Sequence, residues 1–243
     1  MIPIEICVHS KDDFYVFSSV SKAWEGGADR IELCSHMEQD GLTPSVRHIE
    51  LARDAFKNRS GLLVMVRPIG GDFFYTPDEI ALMEQQIKDA AKAGADGVVI
   101  GVLDEKTSAV HRTYSERLIG KAREYDLTVT FHRAFDATPD WQYSLETLLD
   151  LGVDRVLTSG IAWGVGGTAE DGIKQLVNIG AFVSGGLEIV VGGGVSLENA
   201  PRIIEVLNTE LTRFSLHTFS SVLENGNVSS AKVQQLKSLV APN

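Results

Sequence analysis

Leu127-Thr128-Val129-Thr130-Phe131-His132-Arg133-Ala134-Phe135-Asp136 is the stretch whose reading decides the fold. Its first six residues alternate with period 2, the signal of a strand with two unlike faces. Val129 and Phe131 share one face; Thr128, Thr130 and His132 share the other. The polar face ends in ionisable groups, His132, Arg133 and Asp136, just where the strand stops. A half-buried surface strand also alternates, but it has no reason to gather such groups at its C-terminal end. Other runs in this chain end the same way, and a closed parallel barrel brings those ends together at one mouth.

Outward from this run, strands and helices alternate. Strands are expected at 2–8, 29–34, 61–67, 95–104, 127–132, 155–160, 187–191 and 213–219. Helices are expected at 12–25, 45–58, 77–93, 113–124, 142–151, 168–179 and 197–207, with a last short one at 229–239. Gly26-Gly27 and Gly94 read as helix stops. Thr76-Pro77 reads as an N-cap followed by proline in the first turn. The run from Gly61 to Arg67 is nearly all apolar, as in a parallel strand covered on both faces. Eight such units in 243 residues predict an α/β protein: a single (β/α)8 TIM-type barrel over residues 1–243, with a short C-terminal tail. An open doubly wound sheet competes, but no G-x-G-x-x-G follows the first strand and no long insertion marks a switch point.

Composition narrows the function classes. The net charge is −11 and the pI near 5.0. With no Lys/Arg stripe, nucleic acid and anionic membrane are not expected as partners. No apolar run reaches the ~18 residues of a membrane span, and Met1-Ile2-Pro3-Ile4-Glu5 has no basic n-region. A cytoplasmic protein is expected, and with it reduced thiols at Cys7 and Cys34.

In a barrel, residues inside alternate with those touching the helices. Ile4, Ile6, Val8, Ile31 and Leu33 belong against the helices. Glu5, Cys7, Arg30, Glu32 and Cys34 then point inward, as do Arg67, His132, Ser215 and His217. Part of this set is expected to form an ion-pair network, Glu5 and Glu32 against Arg30 and Arg67. The rest marks a site, because polar residues gather at strand ends where this fold places its active face. Gly192-Gly193-Gly194 follows strand seven, where barrels often hold a phosphate. Thr158-Ser159-Gly160 adds hydroxyl donors, although nothing in the sequence places a base to make Ser159 a nucleophile. Cys7 and Cys34 end adjacent strands ~5 Å apart. Two thiolates so placed suit a soft metal such as Cu(I), with His132 or His217 assisting; buried small hydrophobes are the bland alternative. There is no methionine cluster in the sequence, and His9, His36, His48 and His111 are expected to face solvent.

Several of these segments together resemble the CutC copper homeostasis family. They are Glu5-Ile6-Cys7-Val8, Gly27-Ala28-Asp29-Arg30-Ile31-Glu32-Leu33-Cys34, Thr43-Pro44-Ser45, Val66-Arg67-Pro68, Gly70-Gly71-Asp72-Phe73, Gly94-Ala95-Asp96-Gly97, Phe131-His132-Arg133-Ala134-Phe135-Asp136 and Val156-Leu157-Thr158-Ser159-Gly160. The chain departs from the family pattern at Gln39, Asp40, Ile69, Val190, Val191, Thr218 and Phe219. The resemblance implies a TIM-like barrel, a cytoplasmic homodimer or higher homo-oligomer, a role in copper handling, and Cu(I) on Cys7 and Cys34.

Two readings stand side by side. One is a copper homeostasis protein with Cys7 and Cys34 as metal ligands. The other is a barrel enzyme, a lyase, isomerase or hydrolase, acting on a small anionic metabolite, phosphorylated ones included. In that second reading Glu5, Glu32, His132 and Asp136 are the catalytic set. Arg30, Arg67, Arg133, Ser159, Gly192, Gly193, Gly194 and His217 hold the anion.

Overall fold

The computed structural model describes residues 2–209 and 212–240; the ends of the expected 1–243 domain lie outside them. Eight parallel strands close into a barrel in sequence order. They are β1 (Ile4–His9), β2 (Arg30–Cys34), β3 (Leu62–Met65), β4 (Gly97–Ile100), β5 (Thr128–Phe131), β6 (Arg155–Thr158), β7 (Glu188–Val191) and β8 (Phe214–Thr218). The helices are α1 (Asp13–Glu25), α2 (Val46–Phe56), α3 (Pro77–Lys92), α4 (Arg112–Arg123), α5 (Trp141–Asp150), α6 (Ile173–Val183), α7 (Ala200–Leu207) and α8 (Ser230–Leu239).

Local chemistry sets the boundaries. Asp12, Ser45 and Thr76 cap α1, α2 and α3 through their side-chain oxygens, each satisfying an N–H that the helix leaves free. Thr76 and Glu79 form a full capping box. α6 starts at Ile173 rather than near 168. The intervening residues turn instead: Asp171 Oδ2 accepts from the Thr168 N–H at 2.8 Å, and Gly172 lies so close to the Ser159 carbonyl that a Cβ there would collide. β4 is shorter than 95–104 because the chain leaves the sheet at Gly101, against the His132 ring.

The alternation expected for β1, β2 and β5 is observed. Ile4, Ile6, Val8, Ile31, Leu33, Val129 and Phe131 are buried in the apolar layer between sheet and helices. Cys7, Cys34, Leu63, Met65 and Val99 form a second, smaller cluster inside the barrel.

The interior ion pairs differ from those expected. Arg30 begins β2, at the N-terminal end of the barrel, and makes a forked pair with Glu188 at 2.5 and 2.9 Å. Arg155 donates to Thr130 Oγ1 and Thr128 Oγ1 at 2.9 and 3.0 Å, so the polar face of β5 serves this lower layer. Glu5 instead meets His217, and Arg67 bonds to backbone carbonyls. Period 2 tells which face a side chain takes, not how far along the barrel axis it sits. Among the histidines expected in solvent, His36 is exposed, whereas His9, His48 and His111 are half-buried, and His111 caps α4 by accepting from the Tyr114 N–H.

The lower layer generates a test. Glu188→Ala leaves the Arg30 guanidinium without its carboxylate, which is expected to cost about 3–5 kcal/mol in urea unfolding. Arg30→Met/Glu188→Leu, which removes both charges, is expected to cost much less. Equal losses from the two variants would contradict this account of the pair.

Candidate functional site

The C-terminal ends of the strands surround a cavity of about 330 Å³. Its floor is sulfur. Cys7 Sγ lies 3.9 Å from Cys34 Sγ and 4.0 Å from Met37 Sδ, and Met65 lines the same cavity. Met37 stands in the short 3-10 turn Met37–Gln39 after β2. The Cys34-x-x-Met37 spacing is the signal that would have found it, because a tight turn at the end of a strand folds the third residue back over the mouth.

Charge surrounds the sulfurs. Glu5 and His217 are paired residues on β1 and β8, and His217 Nδ1 lies 2.9 Å from Glu5 Oε1 and 3.7 Å from Glu32 Oε2. Burial works against the His217 imidazolium, but the facing carboxylates and Cys7 hold its pKa well above the usual value. Burial also pushes Glu5 up, yet its hydrogen bond to His217 and the charges of His217, Arg155 and Arg30 bring it below the ordinary carboxylate value. Glu5 is thus the ionised partner of His217. Burial raises Glu32, the more distant carboxyl, to about 8. The hydrogen bond with Cys34 lowers the Cys7 thiol to about 6 against its burial. The same contact, with burial, raises Cys34 well above the usual thiol. The floor therefore favours the thiolate at Cys7 and the thiol at Cys34, which lies 3.2 Å from Glu32 Oε1, beside an imidazole whose protonated form is favoured.

Donor chemistry fits a soft ion. Three sulfurs bound at about 2.3 Å around one trigonal ion stand about 4.0 Å apart, which is the separation of Cys7 from both Cys34 and Met37. Thiolate and thioether ligands favour soft metals, Cu(I) among them. Cys7, Glu32 and Cys34 also converge as a possible metal-holding group, as do Glu5, Glu32 and His217, with donor atoms within 4.8 Å of one another.

The rest of the lining includes Arg67, Phe73, His132, Arg133, Trp163, Gly193 and Gly194. His132 Nδ1 accepts from the Ala134 N–H at 3.1 Å, which puts the proton of the neutral ring on Nε2. Burial, with the nearby Arg67 charge, lowers His132 to about 3. Thr218 and Phe219 line the mouth as well.

The expected site residues thus divide. Cys7, Glu32, Cys34, Arg67, His132, Arg133, Gly193, Gly194 and His217 line the cavity. Glu5 lies behind His217, to which it is bonded. Asp136 and Ser159 lie behind Arg133: Asp136 Oδ2 accepts from Arg133 Nε at 2.8 Å and Ser159 Oγ accepts from Arg133 Nη2 at 2.9 Å. Asp136 also accepts a short hydrogen bond from Thr158 Oγ1. Gly192 spends its N–H on the Thr158 carbonyl. Arg30 sits at the opposite end of the barrel with Glu188. Trp163, Phe73 and Met37 are lining residues that the strand pattern did not single out, because they come from loops and turns.

The buried neutral His132 has a pH signature. Between about pH 3 and 6.5 the unfolded chain binds one proton more than the folded protein at this residue. Stability therefore rises with pH across that window and is lost as pH falls. From pH 7 to 5, urea unfolding is expected to show wild type losing about 2 kcal/mol more than His132→Asn. Parallel profiles would contradict a neutral His132.

Comparison with known proteins follows the same lines. The CutC family model matches residues 2–217. A CutC family protein of Aliivibrio fischeri is 40% identical over 204 residues, covering 84% of this chain and 77% of the relative. The human copper homeostasis protein cutC homolog is 38% identical over 202 residues, covering 83% of this chain and 68% of that protein. The crystal structure of a CutC protein from Streptococcus agalactiae superposes with a TM-score of 0.77 at 29% identity, over 90% of this chain and 99% of the other. Barrel and sequence agree, and the chain belongs to the CutC family.

Proposed function

We propose that this chain handles copper by binding one Cu(I) ion at Cys7, Cys34 and Met37. The observation that carries the reading is the sulfur geometry: 3.9 and 4.0 Å from Cys7 to its two neighbours, two edges of a trigonal three-sulfur site. The name of the human relative, a copper homeostasis protein cutC homolog, points the same way.

The surrounding groups suit that cargo. Cu(I) on two thiolates carries one net negative charge, and the cationic His217 lies against it; Met37 adds a ligand without charge. His217 Nδ1 faces Glu5 at 2.9 Å, so its part is to balance the thiolates rather than to bind the ion. Cys34 must release its proton on binding, so affinity rises with pH. The ion enters from the open mouth. Cytoplasmic residence and a homo-oligomeric state belong to the same reading. They rest on the resemblance and on two thiols whose use as ligands needs a reducing compartment. Among the described residues no helix is long and apolar enough to cross a membrane.

A competition titration against a Cu(I) chelator tests this on reduced protein. Wild type is expected to take up one ion tightly, Cys7→Ala/Cys34→Ala to lose that site, and Met37→Leu to keep the stoichiometry with weaker affinity. Undiminished binding by the double variant would overturn the proposal.

A further inference from the structure

The sulfurs occupy only the floor of a cavity far larger than a metal ion. The rest of its lining has a structure of its own, and it is cationic. Arg67 is 1% exposed. Its nitrogens donate to the carbonyls of Gln39 (2.7 Å), Gly41 (3.3 Å) and Gly71 (2.8 Å). Its Nε has no partner, and among the described residues it forms no ion pair. A buried charge without a counter-charge costs several kcal/mol by rough estimate, and three loop carbonyls offset that only in part.

Arg133 stands beside it in the same wall and is built differently. Asp136 holds its Nε and Ser159 its Nη2. That leaves Nη1 for a ligand, on a side chain 30% exposed. Gly193 keeps this nitrogen approachable, since a Cβ there would lie 3.5 Å from Nη1. Aromatic rings tie the two guanidinium groups together. Arg67 lies over Phe73 and Arg133 over Trp163, each at 5.1 Å, and the two rings meet edge to face at 5.2 Å. Both rings are held in place before any ligand arrives, and so is Arg133. Asp136 balances one positive charge; the other is left over. Of the carboxyl groups lining the cavity, Glu32 lies at the sulfur end and Asp40 is exposed at the rim.

We propose that the cavity binds a small organic anion, its carboxylate or phosphate taken by Arg133 Nη1 in the field of Arg67. The molecule's body lies against Trp163 and Phe73, over the sulfur floor. A charge-assisted hydrogen bond from the fixed Nη1 suits an oxygen of either group. His132, whose Nε2 has no partner, lines the same wall and supplies a neutral donor for an uncharged oxygen of the same molecule. This site goes beyond the copper reading and does not depend on it.

The test is thermal unfolding of the whole protein with a copper chelator present, so that its outcome is independent of the metal. Inorganic phosphate and pyruvate are titrated separately against sodium chloride at matched ionic strength. A ligand of the native state raises Tm with the logarithm of its concentration. At least one of the two anions is expected to do so in wild type beyond the chloride control. A response to phosphate alone assigns phosphorylated ligands, and a response to pyruvate alone assigns carboxylates. Arg133→Met is expected to weaken the response about tenfold or more, equal to about 1.4 kcal/mol. Should that variant fail to fold, Arg133→Lys serves: it keeps the charge but cannot span Asp136, Ser159 and a ligand, and the response is expected to weaken. No response beyond chloride in wild type, or an undiminished response in the folded variant, would overturn the proposal.

Discussion

One contact, Glu5 with His217 at 2.9 Å, joins the closing of this barrel to the chemistry of its mouth. The two residues are partners across the seam where β1 meets β8. Glu5 is fully buried, and an unpaired carboxylate there would not stay ionised. The imidazolium keeps it charged, and Glu32, Cys7 and Glu5 together favour the imidazolium against its burial. With that pair in place, His217 faces Cys7 and adds to the hydrogen bond from Cys34 in lowering that thiol. Burial, with the charges of Cys7 and Glu5, raises Glu32 in spite of His217 at 3.7 Å. The sulfur floor thus depends on one ion pair at the barrel seam, and the apolar layer around the sheet supplies only the rigid frame.

The interior is divided by height. At the lower end, Arg30 with Glu188 and Arg155 with Thr128 and Thr130 fill the space that aliphatic layers usually fill. Above them lie Glu5 and His217, then the sulfurs of Cys7 and Cys34 with Met65. The loops complete the mouth: Met37 from the turn after β2, Phe73 after β3, Trp163 after β6. An ionic base and an open, soft upper chamber thus occupy opposite ends of the same barrel.

This division explains what could be read from the amino acids and what could not. Alternation in Ile4-Glu5-Ile6-Cys7-Val8 and in Arg30-Ile31-Glu32-Leu33-Cys34 assigned each side chain to the correct face. It could not tell depth. Arg30, first in β2, and Cys34, last, share a face but lie at opposite ends of the barrel. Partner choice also escaped it: Arg30 lies beside Glu5 in the strand register, yet reaches across the barrel to Glu188, whose carboxylate accepts both arms of the fork. Met37 and Trp163 escaped because turns carry no period. The cluster His132-Arg133-Asp136 was legible as a site, but its internal roles were not. Asp136 proved to be an anchor for Arg133 because Thr158, Ser159 and Arg133 all donate to its carboxylate.

The central claim is that strand alternation and one tight turn bring the sulfurs of Cys34 and Met37 up to that of Cys7, where all three can hold one ion. X-ray absorption at the copper edge, on protein loaded with one Cu(I) equivalent under reducing conditions, tests it most directly. The account predicts a first shell of three sulfurs at about 2.3 Å, reduced to two in Met37→Leu. A first shell of nitrogen or oxygen, or a sulfur count unchanged by that substitution, would contradict it.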